Sequence, residues 1–370
     1  MSGPRVGLNL LWLQPGHAGG AERYAVGLVR ALADEASDVA ITIFCNRRFA
    51  RAYPEVRDHV PIVVAPADGR SRLARIATES TWLARATSRR PLDLVHHLND
   101  VVPWIRTRPS VLTVHDLRSL AGGDVLGRGQ AAYLRIAVPR SVRTARVVMT
   151  PTDHVRRAVI DRFAIDPSRV VVVSAPVPPL ERMSETALEP DDPYFLYPAI
   201  TNRHKNHLLL LEAFAKVAAE RPEVRLVLTG APGNADADVG DAIARLGLGG
   251  NVTRAGRLAD PAFDRLLADA AALVYPSTFE GFGLPIIEAM AVGCPVIAAD
   301  ATALPEVVGE AGLLVAPGDR DAWAAGMLRI LDDTELRTRL VAAGEERARA
   351  FTPAETARRL TGAYRLALEI

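Results

Sequence analysis

The chain repeats one pattern of apolar and polar positions. Short unbroken apolar runs, the mark of strands buried on both faces, alternate with stretches whose apolar residues recur every three or four positions, the mark of helices with one buried stripe. The first run, Val6 to Leu13, empties into a glycine loop and then a stretch with Tyr24, Leu28 and Leu32 at helical spacing. The runs Val39–Cys45, Val60–Pro66, Leu92–Leu98, Ser110–Leu117, Arg146–Asp153 and Arg169–Val177 predict further strands. Residues 70–89, Gly129–Thr144 and Asp153–Phe163 predict helices between them. This alternation implies a mostly parallel sheet with helices on both faces.

From Ala175 to Pro193 the text turns proline-rich and acidic, APVPPLERMSETALEPDDP, and reads as a linker. A second alternating series follows. Tyr194–Ile200, Val224–Gly230 and Asn251–Leu258 predict strands, as do AALVYPS, PVIAAD and AGLLVAPGD, while Asn206–Glu220 predicts an amphipathic helix. Asp260 before Pro261 reads as an N-cap with proline in the first turn. The expected organisation is an α/β domain over 1–177, a linker over 178–193 and a second α/β domain over 194–352, both Rossmann-like and doubly wound. Ligands are expected in a cleft bordered by the carboxyl ends of their strands.

Length agrees with this division, since single cores stop growing near about 250 to 300 residues and the chain has 370. With 44 Lys and Arg against 43 Asp and Glu, the net charge of +1 gives no global field favouring nucleic acid. Cys45 and Cys294 sit in apolar surroundings and read as small core residues, and no C-x-x-C or H-E-x-x-H spacing announces a metal. No apolar run approaches the roughly eighteen residues of a spanning helix. A cytoplasmic protein is expected, with reversible contact with a membrane surface left open.

The densest chemistry lies in Ser277 to Asp300, STFEGFGLPIIEAMAVGCPVIAAD. Gly281 and Gly283 allow tight or positive-φ backbone, and Pro285 suits the first turn of a helix beginning near Leu284. The glycine turn and the free amides of that helix make an anion pocket from Gly281, Phe282, Gly283 and Leu284. Glu280 precedes the pocket and Glu288 follows inside the helix. Carboxylates so close to an anion site fit the hydroxyls of a sugar on the same ligand. The competing reading is an ordinary strand-loop-helix crossover with two solvated acids.

Three other loops stand at strand ends. Gly16 to Glu22 places Gly19 and Gly20 before a helix but lacks G-x-G-x-x-G, which disfavours a nicotinamide cofactor. Thr113 to Leu117 puts His115 at the edge of the sheet, where an acid, base or hydrogen-bonding group is useful, and His96 and His97 end a neighbouring strand as cleft-wall residues. Ala199 to His207 brackets His204 with Arg203 and Lys205 just before a helix start, so a guanidinium fork and an ammonium gather beside helix amides. That suits a diphosphate. Together with the glycine-rich turn and its two acids, the ligand described is a nucleotide-diphospho-sugar.

These residues resemble the family 4 glycosyltransferases, a large retaining group of GT-B fold also called the glycosyl transferases group 1 domain. The likeness rests on E-G-F-G-L-P-I-I-E from Glu280 to Glu288, on P-A-I-T-N-R-H-K-N-H from Pro198 to His207, on G-G-A-E from Gly19, on T-V-H-D from Thr113 and on T-P-T-D-H-V from Thr150. It covers nearly the whole chain. The resemblance implies Lys205 on the donor phosphates, Glu288 on the ribose, the Gly281 to Leu284 amides on the distal phosphate or sugar, Glu280 at the transferred sugar's hydroxyls and His115 beside the reacting sugar. It also implies that the closing helix, 353–370, returns to the first domain. One departure is Ala199, where many members carry an arginine, and Arg203 is the candidate substitute.

On this likeness the expected activity is transfer of a hexose with retained configuration, by front-face attack and without a metal or other cofactor. The H-K-N-H form of the basic loop resembles bacterial mannosyl- or rhamnosyltransferases, favouring a GDP-mannose-type donor ahead of UDP- or dTDP-sugars. The acceptor, a saccharide, a lipid-linked sugar or an aglycone, is expected against loops of the first domain such as Leu117 to Gln130. A sugar-nucleotide epimerase or phosphorylase of the same fold is the alternative, and a non-catalytic nucleotide-sugar-binding subunit is a third.

Overall fold

In the computed structural model the described residues are 3–16, 19–36, 38–68, 71–120, 128–177 and 192–370. The chain forms two compact units, one of Met1–Pro176 with Thr352–Ile370, the other of Val177–Phe351. Most of the segment read as a linker, 178–191, lies outside the described residues.

The first unit holds seven strands: β1 (Arg5–Leu10), β2 (Ala40–Cys45), β3 (Ile62–Val64), β4 (Leu94–His97), β5 (Ser110–Thr113), β6 (Val147–Thr150) and β7 (Val170–Val172). All pairings are parallel, in the order β3-β2-β1-β4-β5-β6-β7. The central strands β4, β5 and β6 are buried at every residue, as strands covered on both faces must be, whereas the edge strands β3 and β7 are partly open. Each strand is shorter than its apolar run. Leu11, Trp12 and Leu13, for example, leave the ladder after β1 yet stay buried beneath the loop they begin.

The second unit repeats the plan with β8 (Tyr194–Pro198), β9 (Arg225–Thr229), β10 (Val252–Gly256), β11 (Ala272–Tyr275), β12 (Val296–Ala299) and β13 (Leu313–Val315), parallel in the order β10-β9-β8-β11-β12-β13. In both sheets the chain winds outward from its first strand in one direction and then in the other. The reversal falls between β1 and β4 in the first sheet and between β8 and β11 in the second. Crossovers on the two sides leave the sheet in opposite directions there, so the loops at the carboxyl ends of those strands part and open a crevice.

Several local outcomes depart from the sequence reading. A helix at Asp236–Arg245, after the β9 loop, was not anticipated, because its apolar stripe is short and its first turn is acidic. Helix Asp260–Asp269 takes Ala259 as its cap and Asp260 as its first residue. His96 and His97 line no cleft: they are 0% and 2% exposed. His96 shares its ring nitrogens with Tyr364 Oη at 2.9 Å and Thr113 Oγ1 at 2.8 Å, and His97 Nδ1 meets Asn9 Nδ2 at 3.1 Å. Burial, with neighbouring positive charge, lowers both histidines to about 3, so they are neutral hydrogen-bonding pieces of the core. Tyr364 arrives from the closing helix Pro353–Glu369, whose buried stripe of Ala357, Leu360, Ala363, Tyr364 and Ala367 belongs to the first unit.

Candidate active site

The basic loop and the glutamate-glycine motif follow β8 and β11, the two strands that flank the reversal in the second sheet. Their position therefore comes from the winding of the sheet. The two loops are fastened to each other at His204, whose carbonyl accepts the Thr278 amide at 2.8 Å, the Thr278 hydroxyl at 3.1 Å and the Ser277 hydroxyl at 3.3 Å.

Across this junction the Lys205 ammonium forms an ion pair with the Glu280 carboxylate, with the two side chains only 16% and 14% exposed. Lys205 Nζ also donates to Tyr275 Oη at 3.3 Å and lies 5.4 Å from the centre of that ring. Tyr197 Oη donates to the Lys205 carbonyl at 2.6 Å, and its ring meets Tyr275 edge-on at 5.6 Å. Lysine backbone, lysine head and glutamate are thus all positioned by the ends of β8 and β11. Burial, the largest single influence on Glu280, pushes its carboxyl up. The adjacent Lys205 charge and hydrogen bonds from Lys205 and Ser277 outweigh burial and hold it below the usual glutamate range. Tyr275 and Tyr197 are pushed well above the ordinary phenol value by burial and by the Glu280 charge, so both stay protonated donors.

The basic loop closes through backbone that few residues tolerate. Arg203–Lys205 form one 3-10 turn, and Asn206 follows in the left-handed region at φ 59°, where asparagine is among the better-tolerated side chains. Its side-chain Nδ2 donates to the Pro317 carbonyl at 2.8 Å, and the helix His207–Glu220 starts immediately after it. Beyond Glu280, Gly283 sits at φ 93° and caps the helix Leu284–Ala291 with Pro285 in the first turn. A Cβ at Gly283 would stand 2.8 Å from Leu304 Cδ2, so conformation and space both call for glycine. The left-handed residue is Gly283; Gly281 is not among the positive-φ glycines, which corrects the equal roles given to the pair. Phe282 packs edge-on against Phe351 at 5.6 Å and anchors the turn. The Glu280 amide donates to Thr302 Oγ1 at 3.0 Å, and Glu288 lies 6% exposed on the second turn of the helix, near enough to Tyr275 to raise its pKa.

The second unit therefore brings together Lys205, Glu280, Gly281, Phe282, Gly283, Leu284 and Glu288. Arg203 is exposed and lines a separate cavity of about 400 Å³ with Asn202, Asn206, His207, Leu208, Ala235 and Asp238; neither Lys205 nor Glu280 is in its wall. Sequence reasoning missed Tyr197, Tyr275 and Thr302. The tyrosines looked like apolar strand positions.

The remaining expected residues belong to the first unit. Gly19, at φ 52°, opens the helix Gly20–Glu35, and the Glu22 carboxylate accepts the Gly16 amide and the Tyr53 hydroxyl at 2.6 Å, which fixes the glycine loop from within. His115 is half-buried after β5, edge-on to Tyr24 at 4.9 Å, with Nε2 3.1 Å from the Leu98 carbonyl. Its amide donates to Asp100 Oδ1 at 3.0 Å. Burial, reinforced by Asp116 and opposed by His115, raises Asp100 to about 6. Asp100 was not anticipated either, because nothing in the sequence pairs the β4 loop with the β5 loop.

Comparison with known proteins agrees with this architecture. The family model Glycosyltransferase Family 4 matches residues 18–179, and Glycosyl transferases group 1 matches 181–347. The chain is 28% identical to O-antigen chain mannosyltransferase B of Escherichia coli, over 94% of this chain and 96% of that one. It is also 28% identical to D-inositol 3-phosphate glycosyltransferase of a Nocardioides strain, over 95% and 86%. Among solved structures, Anabaena HepE with UDP and glucose superposes with a TM-score of 0.77 at 21% identity, covering 97% and 98% of the two chains. Sucrose-phosphate synthase of Thermosynechococcus elongatus gives 0.79 at 23%, covering 98% of each. The fold and site define a glycosyltransferase of the GT-B class. The chain belongs to the family 4, or group 1, glycosyltransferases, and it is an enzyme of glycosyl transfer.

Proposed function

We propose that the chain moves a hexose, of mannose or rhamnose type, from a nucleotide-diphospho-sugar to a hydroxyl acceptor with retention at the anomeric carbon. The observation that carries this reading is the Lys205–Glu280 ion pair, set between two loops at the reversal of the second sheet and followed by the glycine-capped helix. A buried ammonium in the same unit as a glycine-capped helix start suits a departing diphosphate, and a carboxylate held ionised against that ammonium suits the hydroxyls of the attached sugar. Glu288 then takes the ribose.

In the chemical step the bond from the anomeric carbon to the diphosphate oxygen breaks and a bond to the acceptor oxygen forms on the same face. The acceptor's proton passes to the departing diphosphate, whose added charge is met by Lys205 and the amides of Gly283 and Leu284. The chemistry is assigned to these protein groups, with the nucleotide sugar as substrate and no further cofactor. A mannose-type donor is favoured by the mannosyltransferase relative and by the H-K-N-H loop. The acceptor is a saccharide, a lipid-linked sugar or an aglycone.

Thermal unfolding of the purified chain with GDP-mannose, dTDP-rhamnose, UDP-glucose and the bare nucleotides tests the donor. A ligand that binds only the folded state raises the melting temperature in proportion to the logarithm of its excess over Kd. GDP-mannose is expected to give the largest shift. A larger shift with UDP-glucose replaces the donor, and no shift with any nucleotide sugar removes the reading. Anomeric proton couplings of the product then report retention or inversion.

A further inference from the structure

Large apolar side chains standing clear of the surface are concentrated in one part of the first unit. Of the described ones more than 45% exposed, all but Ile370 lie between residues 73 and 136: Leu73 at 80%, Trp104 at 47%, Ile105 at 55% and Ile136 at 65%. Three of these four form one face. Tyr133, Ile136 and Arg140 follow each other at helical spacing along the helix Arg128–Thr144. The Arg140 guanidinium lies 4.3 Å over the Trp104 ring and donates to the carbonyls of Val102, Pro103 and Trp104, and Ile105 is the next residue. Tyr133 shares a hydrogen bond with Trp104.

The stretch of sequence that supplies this face is strongly basic. Residues 70–146 contain 14 arginines against five acidic residues, whereas the whole chain carries only +1. Arg106 and Arg140 are close enough to repel, and none of Arg75, Arg106, Arg135 or Arg140 forms an ion pair among the described residues. One carboxyl close to Tyr133, Glu79, is buried, and burial pushes it up to about 7, so near neutral pH it offsets only part of this charge. Isolated exposed aliphatics are ordinary on soluble proteins. Exposed isoleucines beside a tryptophan, inside a field of unpaired arginines, are not.

We propose that this face docks on an anionic lipid surface. Trp104 then sits at headgroup depth, where an indole keeps one edge apolar and one edge wet, and Ile105 and Ile136 enter the boundary with the acyl chains. Arg106, Arg135 and Arg140 meet lipid phosphates, which a guanidinium fork binds in pairs of hydrogen bonds. Among the described residues no helix is long and apolar enough to cross a membrane, so attachment by this face is reversible and weakens with salt. An acidic protein partner would satisfy the arginines but leave Ile136 and Ile105 without a specific recess.

Co-sedimentation of the full chain with vesicles of phosphatidylcholine alone, and with a quarter phosphatidylglycerol, tests this. The protein is expected to pellet with the anionic vesicles, to stay in solution with the neutral ones and to be released by salt. Arg106→Glu with Arg135→Glu, two exposed side chains with no hydrogen bond among the described residues, is expected to lower partitioning about tenfold or more at an unchanged melting temperature. Ile136→Ser with Ile105→Ser is expected to act in the same direction. Equal pelleting with both vesicle types overturns the proposal, as does wild-type binding by the arginine variant. A concentration-dependent dimer that Ile136→Ser abolishes, without vesicle binding, overturns it in favour of a second copy of the chain.

Discussion

Glu79 in the first unit and Glu280 in the second are both largely buried carboxyls, yet their environments drive them apart. Glu79 opens a π-helical turn, Glu79–Leu83, with no ion pair among the described residues and only the Arg75 charge opposing burial, and it rises to about 7. Glu280 suffers burial as its largest influence too, but the Lys205 ammonium against it reverses the outcome. Burial sets the same direction for both, and the presence of a cation in contact decides the charge. A carboxylate kept ionised in a half-dry crevice strongly orients a polyhydroxyl ligand. A carboxyl left to neutralise itself is a structural hydrogen-bonding group whose state follows pH.

Lys205→Ala should give the largest effect. Turnover of the donor, measured as nucleoside diphosphate release, is expected to fall about 10²–10³-fold, the usual loss for one electrostatic stabiliser of a leaving group. Glu280, stranded without its cation, also costs up to about 3 kcal/mol of stability. Adding Glu280→Gln to Lys205→Ala should restore at least half of that stability and none of the turnover. An unchanged melting temperature in Lys205→Ala would mean that the ion pair does not hold the charge of Glu280.

Glu280→Gln alone keeps the shape and removes the charge, and turnover is expected to drop about 10–100-fold. Because the folded state lowers this pKa, ionised Glu280 stabilises the fold above the ordinary glutamate value, and that contribution fades as pH falls below it. The stability gap between wild type and Glu280→Gln should therefore close on acidification, and a gap independent of pH would contradict the pairing.

Glu79→Gln should behave in the opposite sense. The folded state holds a proton that the unfolded chain releases, so wild-type stability declines as pH rises from about 4.5 to about 7. Glutamine removes that decline. It is expected to stabilise the protein by about 2–3 kcal/mol at pH 8 and by under about 1 kcal/mol at pH 5, read from urea unfolding. Equal changes at the two pH values would show that Glu79 is ionised in the fold.

The smallest effect is expected from Tyr275→Phe, which deletes the 3.3 Å hydrogen bond to Lys205 but leaves the ring beneath the ammonium. A loss below about tenfold in kcat/KM fits one neutral hydrogen bond. A loss as large as that of Lys205→Ala would place the phenol hydroxyl in the reaction.

Much of this was legible in the sequence. Apolar runs on a background of helical periodicity are enough to imply parallel sheets, and Gly283, Pro285 and the acids around them mark a loop with a task. Neighbour order is what periodicity lacks. Tyr197 and Tyr275 read as two more apolar strand residues, and their hydroxyls become informative only once β8 and β11 lie side by side. His96 and His97 misled for the same reason in reverse. Strand-end histidines suggest chemistry until Tyr364, 268 residues further along, is found bonded to one of them. Asp100 and His115 likewise meet because β4 and β5 are neighbours, a fact of topology absent from either loop's text.

The closing helix Pro353–Glu369 places a constraint on synthesis as well as on the folded state. Its Tyr364 completes the His96 network, and Arg146 donates to the Ala367 carbonyl at 3.0 Å, so the first unit contains residues made after the whole of the second. On a growing chain, domains generally fold as units once their residues have emerged. The second unit can therefore close while the first still lacks a wall. For that interval the groove later filled by Leu360 and Tyr364 is open apolar surface, and a ribosome stalled before residue 352 would expose a nascent chain whose earliest residues are the last to be secured.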